Sequence, residues 1–191
     1  MDLNRRLARH AGFLIRLNLF ALPFYAITAT GIQSHALVEL TQGLSVLLMQ
    51  ATGIPVTIGG SLMAVPVEGG TWAAYVSWDS SGWKSMLVFF ALLMATDAPL
   101  KKRLCGLLLI PVLYAINLLR IWFMFFFVRA FGLEHYELVH GTLWSWGMIV
   151  ALLAAWLLWK RWAETGLVNK LPGNPPAVHQ AENRRFGRKH K

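Results

Sequence analysis

Three polar groups of the kind that catalyse acyl transfer stand at the ends of long apolar segments. The hydroxyls of Ser80 and Ser81 precede one apolar run, the Arg120 guanidinium lies near the end of a second, and the His140 imidazole stands where a third begins. If the fold brings the three groups to the same level, a serine hydroxyl is a candidate nucleophile, Arg120 a candidate electrostatic stabiliser and His140 a candidate general base. Acyl transfer requires this set of groups.

Each group also has an ordinary structural interpretation. The sequence from Asp79 to Gly82, before an apolar run, is a common helix N-cap. A lone arginine near a span end can extend to the lipid headgroups, and an interfacial histidine is often only solvated. The case for chemistry therefore depends on whether the surrounding elements bring the three groups to the same place.

The composition indicates that these elements belong to a membrane protein. Of the 191 residues, 56% are apolar and 14% are charged, against about 25% charged residues in a soluble domain. Most of the excess lysines and arginines, which give a net charge of +9, flank the apolar runs. This pattern indicates membrane topology and makes nucleic-acid binding a poor explanation of the charge. The single cysteine, Cys105, allows no cysteine-based metal site, and we expect no metal and no cofactor. We expect Cys105 itself to be an inert buried thiol.

Four apolar segments are long enough, or nearly so, to cross a hydrocarbon core of roughly 30 Å. They comprise residues 11–32, 86–99, 104–128 and 142–159. Arg120 lies about 24 Å along the helix axis from Leu104, in the outer half of the core, where an unpaired guanidinium costs about 2.5 kcal/mol or more. Asn117, one helical turn earlier, can hydrogen-bond beside it.

A fifth segment, residues 36–52, decides the predicted topology. Its leucines recur every three or four residues with polar residues between them, which predicts an amphipathic helix. If this helix lies in the interface, four spans place both basic termini and the basic turn at residues 101–103 in the cytoplasm, in agreement with the positive-inside bias.

The segment at residues 53–84 alternates Val, Thr, Ile, Trp and Tyr with Gly-Gly and Pro, which is typical of a small hairpin. The predicted fold is therefore an all-α integral membrane protein of about four transmembrane helices, with an interfacial amphipathic helix and a small extracytoplasmic β-hairpin flap. We expect this membrane-embedded domain over residues 1–162. Residues 163–191, rich in Pro, Gly, Asn and basic residues, are predicted to form a disordered cytoplasmic tail.

Four pieces of sequence occur in a suggestive order, namely GIPVTIGG, SWDSSGW, LIPVLYAINLLRI and HYELVHGTLWSW. They resemble the Gly-Ile-Pro-Val stretch, the nucleophile motif, the Asn- and Arg-containing helix and the His-containing segment of the exosortase/archaeosortase family. Members of that family are membrane enzymes that cleave a C-terminal sorting tail from exported proteins and transfer the new carboxyl end to another group. The resemblance covers about residues 10–162 and is most specific from Ile110 to Arg120.

The resemblance implies a role for each candidate. Arg120 matches the family's essential arginine and His140 its histidine, while Ser80 stands where the family usually has its nucleophilic cysteine. By this analogy Ser80 attacks, His140 acts as base, and Arg120 stabilises the oxyanion or holds the substrate carboxyl region. The supporting residues implied are Asp79, Ser81, Gly82 and Asn117, with Ser81 capping the following helix.

The implied function is that of a serine-type peptidase or transpeptidase of the cell membrane, with both termini cytoplasmic and the active site outside. Its expected partners are the lipid bilayer and exported proteins that end in a short motif, an apolar helix and a basic cluster. The serine also leaves a second hypothesis, an inactive relative that binds sorting tails or membrane partners. A haem or quinone subunit would need paired histidines at membrane depth, and only His140 lies near a span.

Overall fold

The computed structural model describes residues 3–134, 136–142 and 146–168. The helices in these ranges are α1 (Leu3–Phe20), α2 (Leu22–Thr30), α3 (His35–Ala51), α4 (Trp83–Ala95), α5 (Leu100–Gly106), α6 (Leu109–Phe131), α7 (Tyr136–Thr142) and α8 (Met148–Val168). The strands are β1 (Thr57–Gly59), β2 (Leu62–Val67) and β3 (Gly70–Tyr75), and a 3-10 turn covers Trp78–Ser81.

Helices α1 and α2 run antiparallel to α4. An ion pair of 3.7 Å joins Arg16 to Asp97 at one end, and the rings of Phe24 and Trp83 lie 5.6 Å apart at the other. The earlier residue of α1–α2 contacts the residue after the end of α4, and the later residue contacts the start of α4, so the chain directions are opposite. The start of the chain therefore lies at the same end of the bundle as the turn between α4 and α5.

Helix α8 returns to that same end. The Trp156 indole N–H donates to the Thr96 hydroxyl at 3.0 Å, and the Trp159 indole N–H donates to the Lys102 carbonyl at 3.2 Å. The basic N-terminus, the basic turn at residues 101–103 and the basic end of α8 are thus gathered at one end of the bundle. The predicted topology requires this grouping, while the orientation of the bundle in a membrane stays a prediction.

Helices α5 and α8 pack closely at this end of the bundle. A Cβ atom at Gly106 would lie 2.6 Å from the Trp159 indole nitrogen and 2.8 Å from a Leu93 methyl carbon. Only a glycine allows the two helices to pack at this distance. Around this contact lies the bundle core, which includes Phe89, Leu113 and Leu152.

One helix in the described part of the chain, Leu100–Phe131 with α5 and α6 taken together, is by length and composition able to cross a membrane. A second span results if Arg6–Phe20 and Leu22–Thr30, which meet at a bend of 42°, count as one. Helix α4 is apolar but short. The predicted count of four spans therefore stays a prediction.

Helix α3 forms at the predicted position, but its orientation differs from the simple expectation for an interfacial helix. Thr41 and Ser45 on its polar face are fully buried, while Leu40 and Leu47 are more than half exposed. The Thr41 hydroxyl bonds to the Tyr114 hydroxyl of α6 at 3.0 Å. The side of α3 that packs against the protein thus carries Thr41 and Ser45 together with the apolar Val46 and Met49, while Leu40 and Leu47 point outward, as suits a surface in contact with lipid.

The predicted flap is present as a three-stranded antiparallel sheet in the order β1-β2-β3. Both turns are two residues long and contain a glycine at positive φ, Gly60 at +62° and Gly69 at +85°, as tight hairpins require. Met63 and Val65 of β2 are buried against α3 and against Ile121 of α6. This second core fixes the sheet over one end of the bundle.

The predicted boundary between domain and tail falls too early. Helix α8 continues through Val168, six residues beyond the boundary predicted at 162, and Ala163 is buried at 1% exposure. Ala163 packs in the same core as Trp159, which explains why the helix persists. The rest of the predicted tail, residues 169–191, lies outside the described residues.

Candidate active site

A cavity of about 900 Å³ lies at the flap end of the bundle. Nine consecutive residues, 72–80, line it, and the remaining wall comes from Ser61 and Met63 of the sheet and its first turn, from Gln33 and the start of α3, from α6 and from α7. Ser80, Arg120 and His140 all belong to this wall. The structure therefore brings the three candidate catalytic residues to one cavity, which the sequence spacing left open.

A 3-10 turn holds Ser80. The Ser77 hydroxyl accepts the Ser80 backbone N–H at 3.2 Å and lies 2.8 Å from the Ser80 hydroxyl oxygen. Ser80 is 8% exposed. Its side chain is therefore closely surrounded by protein and is accessible from the cavity. Sequence reasoning missed Ser77, although the spacing Ser-x-x-Ser is the pattern of a side-chain cap on a short turn.

The neighbouring Ser81 has a different environment. It is fully buried, does not line the cavity, and donates its hydroxyl to the Trp78 carbonyl at 2.7 Å. Helix α4 begins at Trp83, and its N-cap position is Gly82, which supplies no side-chain cap. The expectation that Ser81 caps this helix is therefore wrong, because its hydroxyl is already used within the preceding turn.

Asn117 ties this turn to α6. Its side-chain nitrogen Nδ2 donates to the Ser80 carbonyl at 2.9 Å, and the residue is completely buried. Gly82, with φ of +81°, lies so close that a Cβ there would approach Asn117 Cγ to 3.0 Å. The sequence suggested that Asn117 supports Arg120 on its own helix; the structure shows a bond to the turn of Ser80 instead.

Arg120 is partly buried and faces the cavity from α6, next to Ile121 and Met124. A role confined to anchoring in the headgroups would place the guanidinium on the outer face of the helix. Its position in the cavity wall instead puts a permanent positive charge where a developing oxyanion could form.

A chain of aromatic contacts positions His140 on α7. Its ring stacks on Tyr136 with centroids 5.2 Å apart, Tyr136 meets Trp72 of β3 at 5.3 Å, and Trp72 meets the buried Phe125 of α6 at 5.0 Å. Burial, together with the nearby Glu137 carboxylate, raises the pKa of Tyr136 above its usual value. Tyr136 was missed from the sequence, although its spacing of four residues from His140 places both on one helix face.

Two other predictions have clear outcomes. Asp79 lines the cavity but is half-exposed and pairs with Lys84 at 2.9 Å, so its charge is shared with a neighbour outside the catalytic set. Cys105 was expected to be buried, and it is exposed on α5 at the opposite end of the bundle. It therefore cannot act in this cavity.

Comparison with protein families gives one match. The family model of the transmembrane exosortases matches residues 3–146, about three quarters of the chain. No curated protein and no solved structure shows significant similarity to the chain. The family match confirms the resemblance found in the motifs and supports a membrane transpeptidase-type function in general.

Proposed function

The chain belongs to the transmembrane exosortase family, and we propose that it is a serine-dependent transpeptidase or peptidase. Its substrates are exported proteins that end in a short motif, an apolar helix and a basic cluster. It cuts this sorting tail on the extracytoplasmic side of the cell membrane. The observation that carries the proposal is the single cavity whose wall includes Ser80, Arg120 and His140.

The chemistry follows from the three groups. The Ser80 hydroxyl oxygen attacks the scissile carbonyl carbon while His140 accepts the hydroxyl proton. Arg120 stabilises the oxyanion of the tetrahedral intermediate, a contribution of about 3 to 4 kcal/mol for one well-placed donor. When the C–N bond breaks, His140 returns the proton to the leaving amine. Water or an acceptor amine then attacks the Ser80 ester and releases the shortened protein.

The buried turn supports this assignment of the nucleophile. Ser80 faces the cavity, whereas Ser81 is fully buried behind it. Asn117 donates to the carbonyl of Ser80, and the Ser77 hydroxyl is hydrogen-bonded to the Ser80 hydroxyl. A nucleophile held in this way loses little conformational entropy when a substrate arrives.

Co-expression with a secreted protein of the source genome that carries such a tail tests the proposal, with processing followed as a mass shift. Ser80→Ala should abolish processing and Ser80→Cys should retain or raise it, because a thiolate needs less help from a base. Arg120→Lys keeps the charge but loses the planar fork, and processing should collapse at normal abundance. Ser61→Ala, another serine on the cavity wall, is the matched control and should leave processing within twofold.

Unchanged processing by Ser80→Ala would refute the covalent mechanism. The alternative, a relative that binds tails without cutting them, is favoured by the serine at the family's usual cysteine position. That alternative predicts that neither the parent chain nor Ser80→Cys shortens the tail, while the tail still co-purifies with the protein.

A further inference from the structure

We propose that the free edge of β3 binds the substrate as an added β-strand, so that the peptide segment next to the scissile bond is held in extended form beside Ser80. The inference rests on the proposed function, since it names how that site takes its substrate. By the β3 edge we mean the backbone of Ala73 and Tyr75, which both line the cavity.

The cavity lies along an edge of the sheet as well as under its face. Successive side chains of a strand point to opposite faces, so a cavity under one face is lined by every second residue. Here each residue from Trp72 to Val76 lines the cavity. In the described part of the chain β3 pairs with β2 alone, which leaves its other edge open.

The register shows which backbone groups this edge offers. Val67 and Gly70 flank the two-residue turn between β2 and β3, so they form a hydrogen-bonded pair, and bonded pairs then alternate along the ladder. The Val76 N–H, which donates to the Ser61 carbonyl at 3.4 Å, obeys this alternation. Pro66, which has no N–H to donate, stands opposite Thr71 at a non-bonded position.

Consequently Thr71, Ala73 and Tyr75 direct their N–H and C=O groups away from β2. Ala73 and Tyr75 line the cavity, whereas Thr71 does not. Exposed edges in native proteins are normally protected by charges or prolines. Ala73, Tyr75 and the neighbouring Thr71 are all uncharged, and Tyr75 is 67% exposed. An unprotected edge that opens into the catalytic cavity is suited to strand addition by a peptide.

The β3 edge also lies next to Ser80. β3 continues directly into the turn that holds Ser80, so the strand and the hydroxyl form one continuous cavity wall. A peptide paired with Ala73 and Tyr75 therefore extends towards Ser80. Main-chain hydrogen bonds would supply affinity for any sorting tail, and the side chains at alternate positions would supply specificity.

The first test is a proline substitution on the edge, measured by tail processing in cells. Ala73→Pro removes one outward N–H without breaking a bond to β2, and an edge strand tolerates proline. We expect processing to fall at least tenfold. Thr71→Pro is the matched control, with the same strand and the same parity but outside the cavity, and should stay within twofold. Ala73→Val, which keeps the N–H, should lose less processing than Ala73→Pro.

The second test leaves the protein sequence of the edge untouched and does not require cleavage. Synthetic tail peptides from the same secreted protein, each N-methylated at one backbone position, are titrated against Ser80→Ala protein in lipid nanodiscs. Strand pairing predicts at least tenfold weaker binding at every second position and little change between. This period of two is expected for a parallel or an antiparallel added strand.

The outcomes separate this inference from the proposed function. If Ser80→Ala abolishes processing but methylation shows no period of two, or Ala73→Pro processes normally, strand addition is wrong and the serine mechanism stands. If the parent chain never cuts the tail but binding shows the period of two, strand addition stands and catalysis is wrong.

Discussion

Asn117 should contribute to stability through a single buried hydrogen bond between distant segments. It is fully buried on α6, and its Nδ2 donates at 2.9 Å to the carbonyl of Ser80, 37 residues away in sequence. Asn117→Ala leaves that carbonyl without its donor, at a cost of about 1 to 3 kcal/mol. The side-chain oxygen of Asn117, however, has no partner among the described residues. Removing this oxygen removes a buried polar atom that has no partner, and this gain offsets part of the loss. The net loss of unfolding free energy should therefore be about 1 to 2 kcal/mol.

Asn117→Asp should destabilise more, although it changes the side-chain shape least. It replaces the donor nitrogen by an acceptor oxygen that faces the Ser80 carbonyl, and two acceptors in a buried site repel each other. We expect a loss above about 3 kcal/mol at neutral pH. A larger loss of unfolding free energy for Asn117→Asp than for Asn117→Ala indicates that the lost donor matters. If the lost side-chain volume mattered instead, Asn117→Ala would lose more.

Asn18 supplies the matched control. Its Nδ2 also donates at 2.9 Å to a backbone carbonyl, that of Leu14, but the bond is exposed and lies within one helix. Asn18→Ala should therefore change stability by about 0.5 kcal/mol or less. Denaturant unfolding in mixed micelles, followed by tryptophan fluorescence, measures all three variants. If Asn117→Ala and Asn18→Ala unfold with the same free energy, the bond to Ser80 does not hold the turn.

Three further predictions concern the same turn and the topology. Gly82→Ala and Gly53→Ala both place alanine at a positive φ, +81° and +75°, which costs roughly 1 to 2 kcal/mol, but only Gly82 has a neighbour within 4 Å. Gly82→Ala should therefore lower the unfolding free energy by at least about 1 kcal/mol more. Ser77→Ala should cost about 1 kcal/mol of stability and slow tail processing about tenfold; normal processing would contradict its role. In a background without the native cysteine, an impermeant thiol reagent should label Glu68→Cys but not Lys102→Cys in intact cells, and the opposite pattern would overturn the sidedness.

Local patterns were sufficient for what depends on local sequence. The glycine-containing turns predicted a small sheet, and the period of the leucines predicted α3. The order of basic and apolar segments predicted which ends of the helices lie together. These features could be predicted because each depends on residues that are close in the chain.

Features that depend on contact between distant segments could not be predicted in this way. The periodicity of α3 shows that it has two faces but does not show which one meets the protein, and the buried Thr41 results from its bond to Tyr114, 73 residues later. The helical spacing of Asn117 and Arg120 suggested that they act together, whereas Asn117 bonds to the turn of Ser80. In both cases a partner far along the chain decides the role of a residue whose own segment was assigned correctly.

The surroundings of Ser80 suit the oxygen nucleophile of the proposed mechanism. The Ser80 hydroxyl lies 2.8 Å from that of Ser77, which is the usual separation for a hydroxyl pair. Ser77 already accepts the Ser80 N–H, so its own proton can be donated to the Ser80 oxygen. That bond would stabilise the negative charge that develops as His140 takes the Ser80 proton. A thiol forms only weak hydrogen bonds and is partly ionised near neutral pH, so a cysteine at this position has little need of Ser77. The pairing of Ser77 with Ser80 therefore supports the proposed serine mechanism over the alternative of a relative that lost its activity with the cysteine.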